Sequence, residues 1–499
     1  MKNIILMLKT VLFISLFGIL GYFPSLLAKD ESKYNVVFVA IDDLNDWVGV
    51  FGGNPQTQTP NFDNFAKEGS IVFEKAFSPA TVCGPSRSAL LTGKYSHNTG
   101  VYGNDTNLRH APKTQDVATI SQWFSQQGYH ALSAGKIFHK HSNKQSDKGD
   151  QGQWAFDEWT DPTAKEHKGK WGKIRHELKK GTEVHIQPSP GEKAVAYNAK
   201  ALKWGEMAVT PEETKDFITC QWAVDQLTRD FDSKPFFMAV GISKPHLPWF
   251  VPSRFYDQFP LEDIVLPKIN EGDLEDIIDS KGKAAAKKHP WWNWIERENM
   301  HKEAVQAYLA SVAYVDYCLG ALFEGINNSK YADNTIVVIW GDHGWHLGEK
   351  FKYGKATSWI ESCRVPLLIK VPGVTENGLV KTKGLVNLID LYPTLSDICG
   401  LPINPENEGK SFKDLIHNPK MEWNFPTVIT TNEGQSTVFD PQYQYIRSTR
   451  FNKTVLELYN YEKDPLEWNN LANNAEFKEV IARLDPYLPK KYEPKLPKK

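Results

Sequence analysis

The chain has 499 residues, a composition ordinary for a globular protein and a formal net charge of −2. That length accommodates one large α/β domain plus a smaller one. The near-neutral balance excludes a polycation that holds nucleic acid or other acidic polymers through its overall field, so anion recognition has to be local. The five cysteines, Cys83, Cys220, Cys318, Cys363 and Cys399, are odd in number and lack C-x-x-C spacing, which excludes a disulfide framework and a structural zinc site.

Lys2 and Lys9 flank the start of an apolar stretch over 11–23, and Leu26-Leu27-Ala28 forms a cleavage end, with Leu26 larger than the usual small residue. Residues 1–28 therefore read as a secretory signal. The stretch is short for a membrane anchor, and no cysteine follows it for lipid attachment. The expectation is export, to the periplasm or beyond, with no stable membrane partner. Residues 36–41 are an unbroken run of β-branched and apolar side chains, the pattern of a strand buried on both faces. Similar runs recur at 235–242 and 334–341, with helical patterns over 119–127, 215–231, 304–326 and 385–399. This alternation predicts an α/β fold with a mostly parallel central sheet flanked by helices. Beyond 405, short strand-like segments (426–431, 444–448, 455–459) and a helix over 474–484 predict a smaller C-terminal α+β subdomain, ending in a loose Pro- and Lys-rich tail. The expected division is thus 29–405 and 406–499.

Two insert-like regions stand apart. Residues 141–213 are rich in Lys, Gly, His and Pro, and 272–302 sets the basic run 281–289 beside Trp291, Trp292 and Trp294. Basic charge next to indole rings fits a sugar-holding surface and fits equally a solvated face with an aromatic plug.

In doubly wound sheets ligands gather at the carboxyl ends of the strands, and the polar motifs of this chain fall there repeatedly. Asp42-Asp43 follows the first strand directly. Adjacent carboxylates repel unless a cation neutralises them, and oxygen ligands suit calcium or magnesium. Asp342-His343-Gly344 ends the 334–341 run in the same way. Lys244-Pro245-His246-Leu247-Pro248 follows 235–242, with prolines on both sides restricting the backbone of His246. Gly135-Lys136 precedes His139. The most informative run is Cys83-Gly84-Pro85-Ser86-Arg87, leading into Ser88 to Gly93. It puts a cysteine at the start of a helix, where unpaired backbone N–H groups favour an anion and Arg87 adds a fixed positive charge. A cysteine phosphatase would need C-x5-R, and Arg87 comes only four residues after Cys83.

The spacing C-x-P-S-R-x-x-x-L-T-G resembles the signature of the formylglycine-dependent sulfatases of the alkaline-phosphatase-like superfamily. Gly128-Tyr129 through Gly135-Lys136-Ile137-Phe138-His139 resembles their second signature, with Ala131 where Thr or Ser is common. The Gly-Lys-x-Phe-His and Lys-Pro-His-x-Pro runs look closest to the iduronate-2-sulfatase-like branch, and the likeness extends from about 34 to 471. The resemblance implies that a formylglycine-generating enzyme oxidises Cys83 to 3-oxoalanine, whose hydrate attacks a sulfate ester. It assigns Asp42, Asp43, Asp342 and His343, with residue 83, to one divalent ion, calcium rather than magnesium. Many relatives carry Asn where His343 stands. It assigns Arg87, Lys136 and Lys355 to the sulfate, His246 to protonation of the leaving alcohol, and His139 to the base that expels sulfate. The implied substrate is a sulfated carbohydrate, ulvan-like or glycosaminoglycan-like, with 2-sulfated uronic acid among the options. Phosphate or phosphonate ester hydrolysis on the same scaffold stays open. So does a non-catalytic sulfated-glycan-binding relative, although such a module need not keep both His139 and His246.

Overall fold

The structure, a computed structural model, describes residues 34–139, 152–162, 185–186, 202–375, 378–450 and 453–496. The expected signal at 1–28 and most of the 141–213 insert lie outside the described residues. The central sheet comprises β1 (Asn35–Asp42), β2 (Ile71–Phe73), β3 (His130–Gly135), β4 (Glu158–Thr160), β5 (Phe236–Pro245), β6 (Thr335–Gly341), β7 (Leu367–Lys370) and β8 (Val380–Thr382). Their order is β8-β2-β7-β6-β1-β5-β3-β4. The run from β6 to β4 is parallel throughout, and β7 is antiparallel to both β6 and β2. The fold is α/β with a mixed, mostly parallel sheet.

Helices α1 (Cys83–Thr92), α2 (Ile120–Gln126), α3 (Lys215–Gln226), α4 (His301–Asn327) and α5 (Leu391–Ile398) cover the sheet. Strand side chains alternate between faces. Val37, Val39 and Ile41 join Cys220 and Ala223 of α3 and Val312, Val315 and Leu319 of α4. Val36, Phe38 and Ala40 join Leu90, Phe124 and Leu395 of α1, α2 and α5. With both faces covered, β1 has no polar side to show, which is why its sequence runs apolar without alternation. Helix α4 is long and apolar enough to cross a membrane, yet most of it is buried in this core.

Several expectations need correction. The helix expected over 385–399 begins only at Leu391. Val386–Asn387 instead pairs with Ala76–Phe77, and the Asn387 side chain accepts the Ile389 N–H, so the segment turns before it coils. Trp292 and Trp294 are each 5% exposed, so these two indoles are core plugs and not a sugar platform. All five cysteines are free and buried. In the C-terminal part β9 (Thr427–Asn432), β10 (Gln435–Phe439), β11 (Gln444–Arg450) and β12 (Lys453–Tyr459) form an antiparallel sheet in that order. Strand β10 was not expected. The late helix covers only Lys478–Leu484, and the tail expected to be loose is held by defined contacts to residue 496.

Register brings the carboxyl ends of the parallel strands level. Ile41 pairs with Gly341 on one side and Ile242 on the other, Asp42 with Pro245, and Gly135 with Gly241. Asp342, Asp42, His246 and Lys136 stand at or just beyond those ends. The closeness of β3 and β5 there depends on glycine. A Cβ on Gly135 (φ +76°) would lie 2.0 Å from the Gly241 carbonyl oxygen, and one on Gly241 would lie 2.2 Å from the Lys136 nitrogen.

Candidate active site

Cys83 opens α1 and is fully buried. The N–H of Gly84 in the first turn donates to Asn104 Oδ1 at 2.7 Å, and the Ser86 hydroxyl donates to the Asp342 carbonyl at 2.5 Å. These bonds tie the helix start to the end of β6. Around Cys83 Sγ stand Lys355 Nζ at 2.9 Å, His343 Nε2 at 3.2 Å and Asp43 Oδ1 at 3.7 Å. Burial would raise the thiol pKa, but Lys355, Lys136 and His343 outweigh it and hold it well below the usual thiol range. Position 83 is therefore built to carry negative charge.

Three carboxylates lie beside it. Asp42 takes Arg87 Nη2 at 3.2 Å and the ammonium of Lys136. Asp43 takes Lys355 Nζ at 2.5 Å, and its backbone, in the left-handed region at φ 64°, turns its N–H onto Asp342 Oδ1 at 3.0 Å. Such a φ is uncommon outside glycine, and Asp is among the residues that tolerate it. Asp43 Oδ2 is buried with no hydrogen-bond partner. One of its nearby cationic groups is His246, with Nε2 at 4.0 Å. Ligand atoms of Asp42, Asp43, Cys83 and His246, and of Asp42, Cys83, Asp342 and His343, each lie within 4.8 Å of one another. An orphaned buried carboxylate oxygen in an acidic cluster fits a divalent cation with oxygen ligands. Burial would lower the His343 pKa, yet Asp342 outweighs it and lifts it to about 9. Binding of an ion by this imidazole would therefore release a proton.

The other two histidines differ in charge. Burial depresses the His139 pKa below the usual value despite its contact with Cys83, and its Nδ1 is buried without a hydrogen-bond partner. For His246 burial works in the same direction, but Asp43 and Asp42 outweigh it and hold its pKa above the usual histidine value. The two environments thus push the imidazoles apart, His139 toward the unprotonated form and His246 toward the protonated one, the pairing that acid–base chemistry needs. The His246 ring is fixed by Nδ1 at 2.5 Å from the Leu247 carbonyl oxygen.

This geometry coincides with a sequence match. The family model described as "Sulfatase" covers residues 34–401, and one described as "N-sulphoglucosamine sulphohydrolase, C-terminal" covers 341–493. The chain belongs to the sulfatase family. A protein of Formosa agariphila named "Sulfatase" is 31% identical over 93% of this chain and 87% of its own length. Mouse iduronate 2-sulfatase is 28% identical over 91% and 93%, and an ulvan-active sulfatase of Formosa agariphila is 26% identical over 93% and 82%. The phosphonate monoester hydrolase of Agrobacterium radiobacter superposes with a TM-score of 0.69 at 19% identity, covering 90% of this chain and 94% of the other.

In this sulfatase, a sulfuric ester hydrolase by family, Asp42, Asp43, Cys83, Arg87, Lys136, His139, His246, Asp342, His343 and Lys355 converge in one cluster at the strand ends. One expected position differs. Arg87 is only 1% exposed, and its guanidinium donates to Asp342 Oδ2 (2.8 Å), Asp42 Oδ1 (3.2 Å) and the carbonyls of Lys136 (2.5 Å) and Ile137 (2.9 Å). It lies beneath the carboxylates as a strut and does not reach out to a bound sulfate. Lys136 and Lys355, at 15% and 16% exposure, are the partly exposed ammonium groups of the cluster. Sequence reading missed the residues that hold this cluster. Asn104 holds the Gly84 N–H of α1, Tyr308 of α4 donates to the Asp43 carbonyl at 2.8 Å, and Asp216 of α3 accepts the Ser243 and Lys244 N–H groups at 2.9 Å each. None sits in a motif; each acts across a distance that only the fold closes.

Proposed function

We propose that this sulfatase is exported, to the periplasm or beyond, and removes sulfate esters from a sulfated polysaccharide or its oligosaccharides, after a formylglycine-generating enzyme has converted Cys83 to 3-oxoalanine. The observation that carries this reading is the ring of Lys355, Lys136, His343 and paired carboxylates around one buried cysteine. The names of two relatives, an ulvan-active sulfatase and an iduronate 2-sulfatase, support an ulvan-like or glycosaminoglycan-like substrate, 2-sulfated uronic acid included.

The hydrated aldehyde at residue 83 supplies an oxygen nucleophile and a second hydroxyl through which sulfate can leave. A divalent ion would be held by Asp42, Asp43, Asp342 and His343 and would supply positive charge at the nucleophile; three carboxylates beside one imidazole make a mainly oxygen donor set, which favours calcium. The chain's own side chains do the rest. Arg87 keeps Asp42 and Asp342 in place. Lys136 and Lys355 neutralise charge that develops on the sulfuryl oxygens. His246, whose pKa Asp43 and Asp42 hold above the usual histidine value, donates its proton to the departing sugar oxygen. His139, unprotonated, accepts the proton whose loss expels sulfate.

Phosphate or phosphonate monoester hydrolysis is the second reading, favoured by the likeness to a phosphonate monoester hydrolase. Kinetics on the sulfate, phosphate and phosphonate esters of one alcohol separate the two, and faster phosphorus-ester turnover would defeat the sulfatase reading. A panel of defined sulfated oligosaccharides, scored for sulfate release, identifies the sugar and the position.

A further inference from the structure

The C-terminal tail is tied to two segments that pack against the active site. Tyr492 donates its hydroxyl to Ser436 Oγ at 2.9 Å, and the Tyr102 hydroxyl donates to the Glu493 carbonyl at 2.8 Å. The Glu493 N–H donates to the His97 carbonyl at 2.7 Å, and the Lys495 N–H donates to Glu433 Oε2 at 3.2 Å. At Gly100, with φ +76°, a Cβ would come within 2.5 Å of the Pro494 carbonyl oxygen, so the tail lies flat on that turn. These bonds bridge two segments. One is the loop after α1, whose Asn104 holds the start of the Cys83 helix. The other is the β9–β10 hairpin, whose Thr430 N–H donates to the Pro79 carbonyl at 3.0 Å and whose Thr431 hydroxyl meets that of Ser358, three residues past Lys355.

The ammonium of Lys495 is thereby carried beside the loop that packs on the start of the Cys83 helix. Its Nζ is 3.8 Å from where a Cβ on Gly103 would stand, and the Gly103 carbonyl oxygen is 3.2 Å from where a Cβ on Gly84, next to Cys83, would stand. Lys495 is exposed and has no ion pair among the described residues, while Asp105 shares its edge of the loop. Further along the tail, Lys491 lines a groove of about 340 Å³ with Lys113 and with Lys94, whose ammonium is paired with Glu406 at 2.7 Å. Of the two acids in that groove, Glu408 is engaged by the Tyr95 N–H and the Asn98 side chain.

We propose that the tail is a substrate-binding element: Lys495 receives an anionic substituent of a sugar unit beyond the one that carries the scissile ester, and Lys491 and Lys113 extend that basic track. The proposal rests on the sulfated-carbohydrate reading above. On a molecule of net charge −2, a local run of ammonium groups is what draws an anionic chain to one edge. Each exposed pair contributes little, but the tail is already ordered by its own hydrogen bonds, so its lysines add without a further ordering cost.

The test compares full-length mature enzyme with Lys491→Ala/Lys495→Ala and Lys491→Arg/Lys495→Arg. Hydrolysis of 4-nitrophenyl sulfate is the assay, and size-fractionated dextran sulfate oligosaccharides are the competing probe. The alanine pair is expected to raise the inhibition constant of the oligosaccharide by about fivefold. It should leave kcat and KM for the aryl ester within about twofold, and the arginine pair should restore inhibition. An unchanged inhibition constant overturns the proposal, as does a parallel loss on the aryl ester, which would mark the tail as a structural brace. If the wild-type enzyme does not cleave the aryl sulfate, sulfate release from the panel of defined oligosaccharides tests the hydrolase reading independently. Calorimetric binding of the same dextran sulfate then decides the tail, equal affinity of wild type and alanine pair overturning it.

Discussion

Arg87 Nε donates to Asp342 Oδ2 at 2.8 Å, joining the first helix of the site to the end of β6 through a pair that is essentially fully buried on both sides. The same guanidinium reaches Asp42 at the end of β1. Three elements far apart in sequence are thus held by one planar cation, a task for which the compact ammonium of lysine is a poor substitute.

Removal of that strut should register as instability first. Arg87→Met leaves two buried carboxylates without their partner, and breaking a buried pair in this way costs about 3–5 kcal/mol. Urea unfolding of chelator-treated enzyme should show a loss of that order. A stable variant with only a raised KM would instead return Arg87 to direct sulfate contact.

Cys83→Ala should lower turnover by at least about 10³-fold, as loss of a nucleophile does, with a thermal midpoint close to that of the parent. In active enzyme, mass spectrometry of the peptide containing residue 83 should show the thiol replaced by an aldehyde or its hydrate. Active protein with a fully unmodified thiol would refute an oxygen nucleophile at this position.

The two histidines set the limbs of the pH profile. His246, with its pKa held above the usual histidine value, loses its proton only as pH rises through that raised value, so turnover of alkyl sulfates should fall on the alkaline side. His139, with its pKa lowered, stays unprotonated until pH drops below the usual histidine range, so the acid limb should be displaced downward. His246→Gln should cost about 10²–10⁴ in kcat for an alkyl sulfate, far less for 4-nitrophenyl sulfate, and should remove the alkaline limb. Equal losses on both esters would argue against its role as the acid.

Asp216 controls His246 from a distance. Its two carboxylate oxygens accept the N–H groups of Ser243 and Lys244 at 2.9 Å, at the base of the loop that presents the histidine. Asp216→Asn turns one acceptor into a donor and leaves a buried N–H unpaired, at about 1–3 kcal/mol. Turnover should fall more for alkyl than for aryl esters. A loss independent of the leaving group would limit Asp216 to general stability.

Chelation should abolish activity and lower the thermal midpoint together, since Asp43 Oδ2 has no protein partner to fall back on. Calcium should restore both. Restoration of neither, with full activity in chelator, would exclude a metal role for this cluster.

Much of this architecture was legible in the chain. The unbroken apolar run of β1 announces a doubly covered strand because burial on both faces leaves no polar alternation to find. Asp42-Asp43, Asp342-His343 and the Cys83 run are contiguous, and each follows a strand or opens a helix, so local pattern locates them. The short strand β10 and the turn before α5 were hidden, because the pairing of Val386–Asn387 with Ala76–Phe77 and the bonds of Asn387 are tertiary choices.

What the sequence by itself determined is which polar residues stand at strand ends and helix starts, because those ends are set by neighbours a few positions away. Only the tertiary structure decided what each one does. Arg87 became a strut because register brings Asp42 and Asp342 to it from other strands. His139 and His246, alike in composition, diverge because the carboxylates of Asp42 and Asp43 outweigh burial at one and not at the other. The lysine tail lies along the loop after α1 and the β9–β10 hairpin because hydrogen bonds to His97, Tyr102 and Glu433 hold it there. Charge and hydrogen bonding act through space, and a linear chain does not show which groups it will bring within their range.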